Sequence, residues 1–346
     1  MLYLQDATCI SSQNTFPDGD LTDYVSPISN KIAVIEPAYP DIPEKILRRM
    51  GKAVRLGVGA GITLIKKSGT PDGIVIGTAH GGMEDCIKFL NQIIDYDEGI
   101  LTPTNFVQST ANAIAGQVGL MLKNTGYNIT HVHKGHAFEN ALIDASLQLS
   151  DNPGTRLLVG AVDEISAYNY NIDLLAGWYK DQEIPASKMY QHNSAGSWAG
   201  EGSSMFIVSD KPSDTRIKLN AVKTITCDKT EHIKVALRNF IAENSLTQNE
   251  PVLYMTGENG DNRLDPFYET YEAGINSRAV LRFKHLSGEY GTASGYALWA
   301  AYMILKTGKI PAHMWKYEQQ TILPRSILIY NNHKGIQHSF MMCSAG

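Results

Sequence analysis

Lys284-His-Leu-Ser-Gly288-Glu289-Tyr-Gly291-Thr-Ala-Ser-Gly295 reads as a turn running into a helix, with glycines at 288, 291 and 295. That spacing suits a backbone packed tightly against another element, since glycine has no side chain to hold the two apart. The helix that follows, residues 291–307, is rich in small residues. What Lys284 and Glu289 do depends on what they face. Glu258 sits in a comparable turn, Gly257-Glu-Asn-Gly260, after the apolar run Pro251-Val-Leu-Tyr-Met-Thr256. Two such carboxylates are candidates for an acid/base pair, although a carboxylate in a turn is more often solvated.

Outward from this stretch, short apolar runs alternate with helical patterns. Strands are expected at residues 73–77, 130–133, 156–164, 205–208, 217–225, 251–256 and 325–331, and helices at 112–124, 136–149, 232–244 and 291–307. Alternation of this kind predicts an α/β fold with mixed sheets. The polar cluster Ser209-Asp-Lys-Pro-Ser-Asp-Thr215 is the expected join between an N-terminal half, 1–210, and a C-terminal half, 211–346.

The chain has 346 residues, 43% hydrophobic and 19% charged, enough to bury a substantial core and too many for one small core. Its net charge of −5 and lack of a basic stripe argue against a nucleic-acid partner. No apolar run reaches the ~18 residues that a membrane span needs. The start, MLYLQDATCISSQ, lacks the cationic and apolar regions of a secretory signal. Cys9, Cys86, Cys227 and Cys343 are scattered without a CxxC, which suits a reducing cytoplasm and argues against a cysteine-rich zinc site. No cofactor is expected.

His131-Val-His133-Lys-Gly-His136 has the H-x-H-x-x-H spacing of binuclear zinc hydrolases, and alternation along a strand aims His131 and His133 the same way. Gly135 stands where those enzymes usually carry an Asp, and the plainer reading is a polar strand-to-helix turn. Gly77-Thr-Ala-His-Gly81-Gly82 follows a strand but completes no phosphate-loop motif. Gly200-Glu-Gly202 reads as a tight turn entering a strand.

In order, these segments resemble the β-ketoacyl synthase branch of the thiolase superfamily. Residues 73–82 are similar to the strand ending in "GTGxGG", and 102–116 to the "SPFFxPxxxxNxxAG" segment that faces the dimer partner. Gly126-Tyr-Asn-Ile-Thr130 resembles "GPNxT", Leu158-Val-Gly-Ala-Val-Asp-Glu164 resembles "AGGxE", and Gly200-Glu-Gly202 resembles "GEGAG". Lys284, Gly288, Gly291 and Gly295 sit as in "KxxxGHxxGAAG". The resemblance covers about residues 70 to 340. It implies a five-layered α-β-α-β-α fold of two pseudo-symmetric halves, with Phe106, Val107, Gln108, Ser109 and Thr110 at the dimer contact and acyl pocket.

The departures from the family are chemical. A condensing synthase uses a Cys at a helix N-terminus and two histidines. By the resemblance these three positions fall on Gly135, Glu258 and Glu289, and Lys284 alone is retained. The "FGFGG" gate becomes Asn331-Asn-His-Lys-Gly335. The chain thus resembles inactive partners of the chain-length-factor type, including synthase-like subunits of aryl polyene and flexirubin-type systems. The partners implied are an active synthase, as a heterodimer, and an acyl carrier protein met through the pair. Two alternatives stand beside this reading. One is a hydrolase or lyase site rebuilt from Glu258, Glu289, His136 and Lys284; the other is a zinc hydrolase.

Overall fold

The computed structural model describes the chain except for residues 1, 28, 100, 102, 213, 215, 245–251, 276, 318 and 320. Thr102 and Pro251, which begin two of the segments quoted above, lie outside the described residues. The first half runs β1 (Leu2–Ile10), β2 (Lys31–Ile32), α1 (Glu44–Leu47), α2 (Lys52–Ser68), β3 (Gly73–Thr78), α3 (Met83–Asp95), α4 (Pro103–Gln108), α5 (Ala113–Leu122), β4 (Asn128–Val132), α6 (Ala137–Asp151), β5 (Arg156–Asp163), α7 (Ala167–Leu175), β6 (Ala199–Gly200) and β7 (Gly202–Ser209). The second runs β8 (Ile217–Thr226), α8 (Thr230–Glu243), β9 (Val252–Thr256), α9 (Asp265–Ile275), β10 (Val280–Arg282), α10 (Lys284–Ser287), α11 (Ser294–Thr307), β11 (Ser326–His333) and β12 (Gln337–Ala345).

The long strands repeat one topology. The first half is ordered β4-β3-β5-β7-β1 and the second β10-β9-β11-β12-β8. In each, the first three strands are parallel and the last two antiparallel. The halves are therefore pseudo-symmetric. They are also hydrogen-bonded to each other, through the pairs Leu2–Leu219 and Tyr3–Lys218 of β1 and β8, into one ten-stranded array. Nothing in the strand pattern of the sequence foretold that continuity, because two residue pairs leave no periodic signal.

Layering follows from alternation along the strands. Ile74 and Ile76 of β3 face one apolar cluster with Leu56, Val58 and Ile114, while Val75 faces another with Phe138, Leu142 and Leu298. In β11, Ile327 and Ile329 join that same inner cluster, and Leu328 and Tyr330 face Ile233, Leu237 and Tyr271. The layers are thus α2 with α5, the first sheet, α6 with α11, the second sheet, and α8 with α9. Burial along the helices agrees. Helix α8 buries only the stripe Ile233, Leu237 and Phe240, as an outer helix should. Helix α11 is buried on every face from Ser294 to Tyr302, as a helix between two sheets must be.

Candidate functional site

Four segments meet where the halves face each other. They are the 3-10 turn Lys134–His136 at the start of α6, the turn after β9, residues 284–291, and the β11–β12 hairpin. The Gly135 N–H donates to Gln337 Oε1 at 2.8 Å. A Cβ placed on Gly135 would fall 2.3 Å from His333 Cβ and 2.7 Å from His333 Cγ. His333 thus fills the space that a side chain at 135 would need. His333 Nδ1 lies 3.6 Å from Glu289 Oε1, and Lys284 Nζ lies 3.0 Å from Glu289 Oε2. Asn259 Nδ2 donates to the same Oε2 at 2.7 Å.

Close backbone packing sets Glu289 in place. A Cβ on Gly200 would sit 2.1 Å from the Ser287 carbonyl oxygen, and Gly288 takes φ 71°, so both positions need glycine. The Glu289 N–H then donates to the Trp198 carbonyl at 2.7 Å, and its carbonyl accepts from the Gly200 N–H at 2.9 Å. Lys284 and Glu289 are both buried. Burial raises the Glu289 carboxyl, but the Lys284 ammonium, His333 and Asn259 together outweigh it and hold the group at about 2. Burial pulls Lys284 below its ordinary value, with Glu289 pushing back. The pair is an internal salt bridge, and as an anion Glu289 is an acceptor with no proton to donate.

The remaining candidates go elsewhere. Glu258 belongs to a separate network: its Oε2 accepts from Arg282 Nε at 3.2 Å and Lys316 Nζ at 2.7 Å, and Lys316 reaches on to Glu272. The turn residue that meets Glu289 is Asn259, one position along. The three histidines take separate hydrogen-bond partners, although the His133 and His136 rings meet edge to face with centroids 5.6 Å apart. His131 pairs with Asp144 at 2.8 Å, His133 with Asn140 at 2.9 Å, and His136 with the His338 carbonyl at 3.1 Å. Among the described residues no three His, Cys, Asp or Glu side chains are grouped to hold a metal. Glu201 of the Gly200–Gly202 turn is a buried brace that accepts from Lys52 Nζ and from the Val34 and Ile165 amides.

Phe106 and Val107 are 58% and 56% exposed on α4. Ser109 and Thr110 close that helix by donating to the Phe106 and Val107 carbonyls. Gln108 turns inward, accepting from the Gly51 N–H at 2.6 Å and donating to the Arg49 carbonyl. Glu139, Asn259, His333 and Gln337 are site residues that sequence reading did not single out. Glu139 is fully buried on α6, accepts from Ser339 Oγ at 2.7 Å, and is raised by that burial. A charged residue among the apolar positions of a helix was the available signal.

Residues 27–182 match the sequence model of the β-ketoacyl synthase N-terminal domain. That stretch of the chain is similar in sequence to the β-ketoacyl synthase family. The fold agrees over the whole length. A β-ketoacyl synthase from Burkholderia phymatum aligns with TM-score 0.78 at 12% identity, covering 100% of this chain and 99% of that one. A chain of a ketosynthase in complex with its chain length factor, from Xenorhabdus doucetiae, aligns with TM-score 0.77 at 13% identity, covering 100% and 98%. A chain of a type II polyketide acyl-carrier protein complex with its ketosynthase aligns with TM-score 0.70 at 13% identity, covering 100% and 99%. At such identities these three show the thiolase-like fold alone. No curated protein matches the chain in sequence. Among the described residues no helix is long and apolar enough to cross a membrane.

Histidines buried around this synthase-like core give it a pH dependence. His338 Nδ1 accepts from Tyr330 OH at 3.0 Å and its Nε2 donates to the Cys227 carbonyl at 3.0 Å, the pattern of a neutral ring. Burial holds His338 down to about 4. An unfolded histidine takes up its proton near pH ~6.5. Between that pH and 4 the unfolded chain therefore binds more protons here than the folded one. The stability His338 contributes is present above about pH 6.5 and is lost as the pH falls toward 4. In urea unfolding, the wild-type chain should lose roughly 2 kcal/mol more than His338→Gln between about pH 7 and pH 5. Equal losses would mean that folded His338 is already protonated at the lower pH.

Proposed function

We propose that this chain is a synthase-like subunit with no condensing activity of its own, of the chain-length-factor type. It pairs with an active β-ketoacyl synthase, helps shape the acyl pocket, and meets an acyl carrier protein through the pair. The product class is a fatty-acid, polyketide or polyene chain. The reading takes Gly135 as the family's nucleophile position, and one observation supports it: a side chain there would run into His333, whose Cβ lies 2.3 Å from where a Cβ on Gly135 would fall. Glycine cannot hold an acyl group. Burial pushes the Cys9 thiol up to about 12 and raises that of Cys343 as well, so neither is a thiolate nucleophile. Glu289, ionised against Lys284, would repel an enolate rather than donate to it. The exposed apolar side chains Phe106, Val107, Leu120 and Val132 lie on α4, α5 and the sheet-edge strand β4, and support a protein partner on that side. Solved structures of this fold include a ketosynthase with its chain length factor and a ketosynthase with its acyl-carrier protein.

The test is incubation of the purified chain with an acyl donor and malonyl-carrier protein. Neither an acyl-enzyme mass nor a β-ketoacyl product is expected, and Gly135→Cys should not rescue turnover. With an active synthase present, product should form. A covalent acyl adduct on this chain would falsify the reading. A rebuilt hydrolase or lyase site is disfavoured, because Glu258 and His136 are engaged away from Glu289.

A further inference from the structure

We propose that the β11–β12 hairpin turn is a built-in plug, with His333 and Gln337 occupying the space and the amide donor that an acyl group at position 135 would use. Acyl chains handled by the assembly would then be excluded from this chain's own interior. The inference rests on reading Gly135 as the vacated nucleophile position.

The turn is fastened to the other half at several points. Gln337 spans the 133–136 turn, accepting from the Gly135 N–H at 2.8 Å and donating to the His133 carbonyl at 3.3 Å. Lys334 Nζ pairs with Asp173 Oδ1 at 2.5 Å. The His333 ring is backed by Glu289, itself held by Lys284 and Asn259. Lys334 and Gly335 take φ 56° and 68°, the left-handed pair of a tight hairpin turn, closed by the Ile336 N–H donating to the His333 carbonyl. Gly135 has no positive φ, so what excludes a side chain there is space taken by His333 and not backbone conformation. The cleft beside His333 is lined by His80, Asp173 and Tyr179 together with Ile165, Ala199 and Tyr290, and its volume of about 20 Å³ has room for a water-sized group and not for an alkyl chain.

A double-mutant cycle with thermal melting tests this without any partner protein. Gly135→Ala should lower Tm, because its Cβ meets His333. In the His333→Gly background the same change should cost nothing further. Imidazole in the buffer should raise the Tm of His333→Gly, by refilling the hole beside Glu289, and leave the wild type unmoved. An unchanged Tm for Gly135→Ala, the same loss with and without His333, or no response to imidazole would each overturn the plug. If His333→Gly does not fold, Gly135→Cys decides. Its thiol should escape iodoacetamide under conditions that label the partly exposed Cys86 and Cys227, and labelling at 135 would overturn the proposal. A flat cycle leaves pairing with a synthase untouched, and failed pairing leaves the cycle untouched, so the two readings fail separately.

Discussion

Lys284→Met is expected to destabilise the folded chain by about 3–5 kcal/mol in denaturant unfolding. Lys284 is fully buried, with its ammonium 3.0 Å from Glu289 Oε2. Its removal leaves an ionised carboxylate in the interior with only Asn259 and the more distant His333 as partners. The loss of one partner, rather than the worth of the pair, sets the size of the effect. Replacing both, as Lys284→Met with Glu289→Gln, should therefore recover a large part of it, since the uncompensated charge is gone. The double variant keeps the amide within reach of Asn259. A single variant within about 1 kcal/mol of wild type would show that Glu289 takes up a proton once Lys284 is gone, so that no uncompensated charge is left in the interior.

Phe106→Asp should weaken pairing with an active synthase by about 3–5 kcal/mol, roughly a hundredfold to a few thousandfold in Kd. In the isolated chain Phe106 is 58% exposed and touches Phe89 with ring centroids 5.5 Å apart. Exposed beside Val107, it suits the aromatic, uncharged centre of a protein interface. The substitution places a charge there while leaving the chain's own core intact, so folding should be little changed. Co-expression with the synthase, size-exclusion chromatography and product analysis give the readout. A variant that still elutes as the pair, with product length unchanged, would remove α4 from the interface. Gln108→Ala makes the contrast. Gln108 is spent on the 49–51 turn, so its loss should act on local stability more than on pairing.

Much of this architecture was legible in the sequence because it is local. The helix expected at 136–149 is α6, Ala137–Asp151, and the helix expected at 291–307 is α11, Ser294–Thr307. Both rest on periodicity and small-residue spacing, which nearest neighbours in the chain dictate. Strands β3, β5 and β11 were visible as short apolar runs because a strand buried on both faces has no polar side to break the run. Helix α2, Lys52–Ser68, went unread: three glycines, Gly57, Gly59 and Gly61, interrupt its apolar pattern, and a helix signal weakens with each one. Strand β12, Gln337–Ala345, was missed because polar His338, Ser339 and Ser344 are set among its apolar residues.

By itself, the sequence determined the alternation of strands and helices and the glycines that let residues 200 and 288 touch. Each of these is a property of a residue type or of residues near one another. Only the tertiary structure decided which side chains meet Gly135. Gly135 and Gln337 are 202 residues apart, and no pattern along the chain says which side chain crosses that gap. The same holds for Glu258 and Asn259, neighbours in one turn, where the orientation of the backbone after β9 sends one toward Lys316 and the other toward Glu289. A side chain's direction is set by the packing of two halves against each other, and that packing is a sum over contacts distant in sequence.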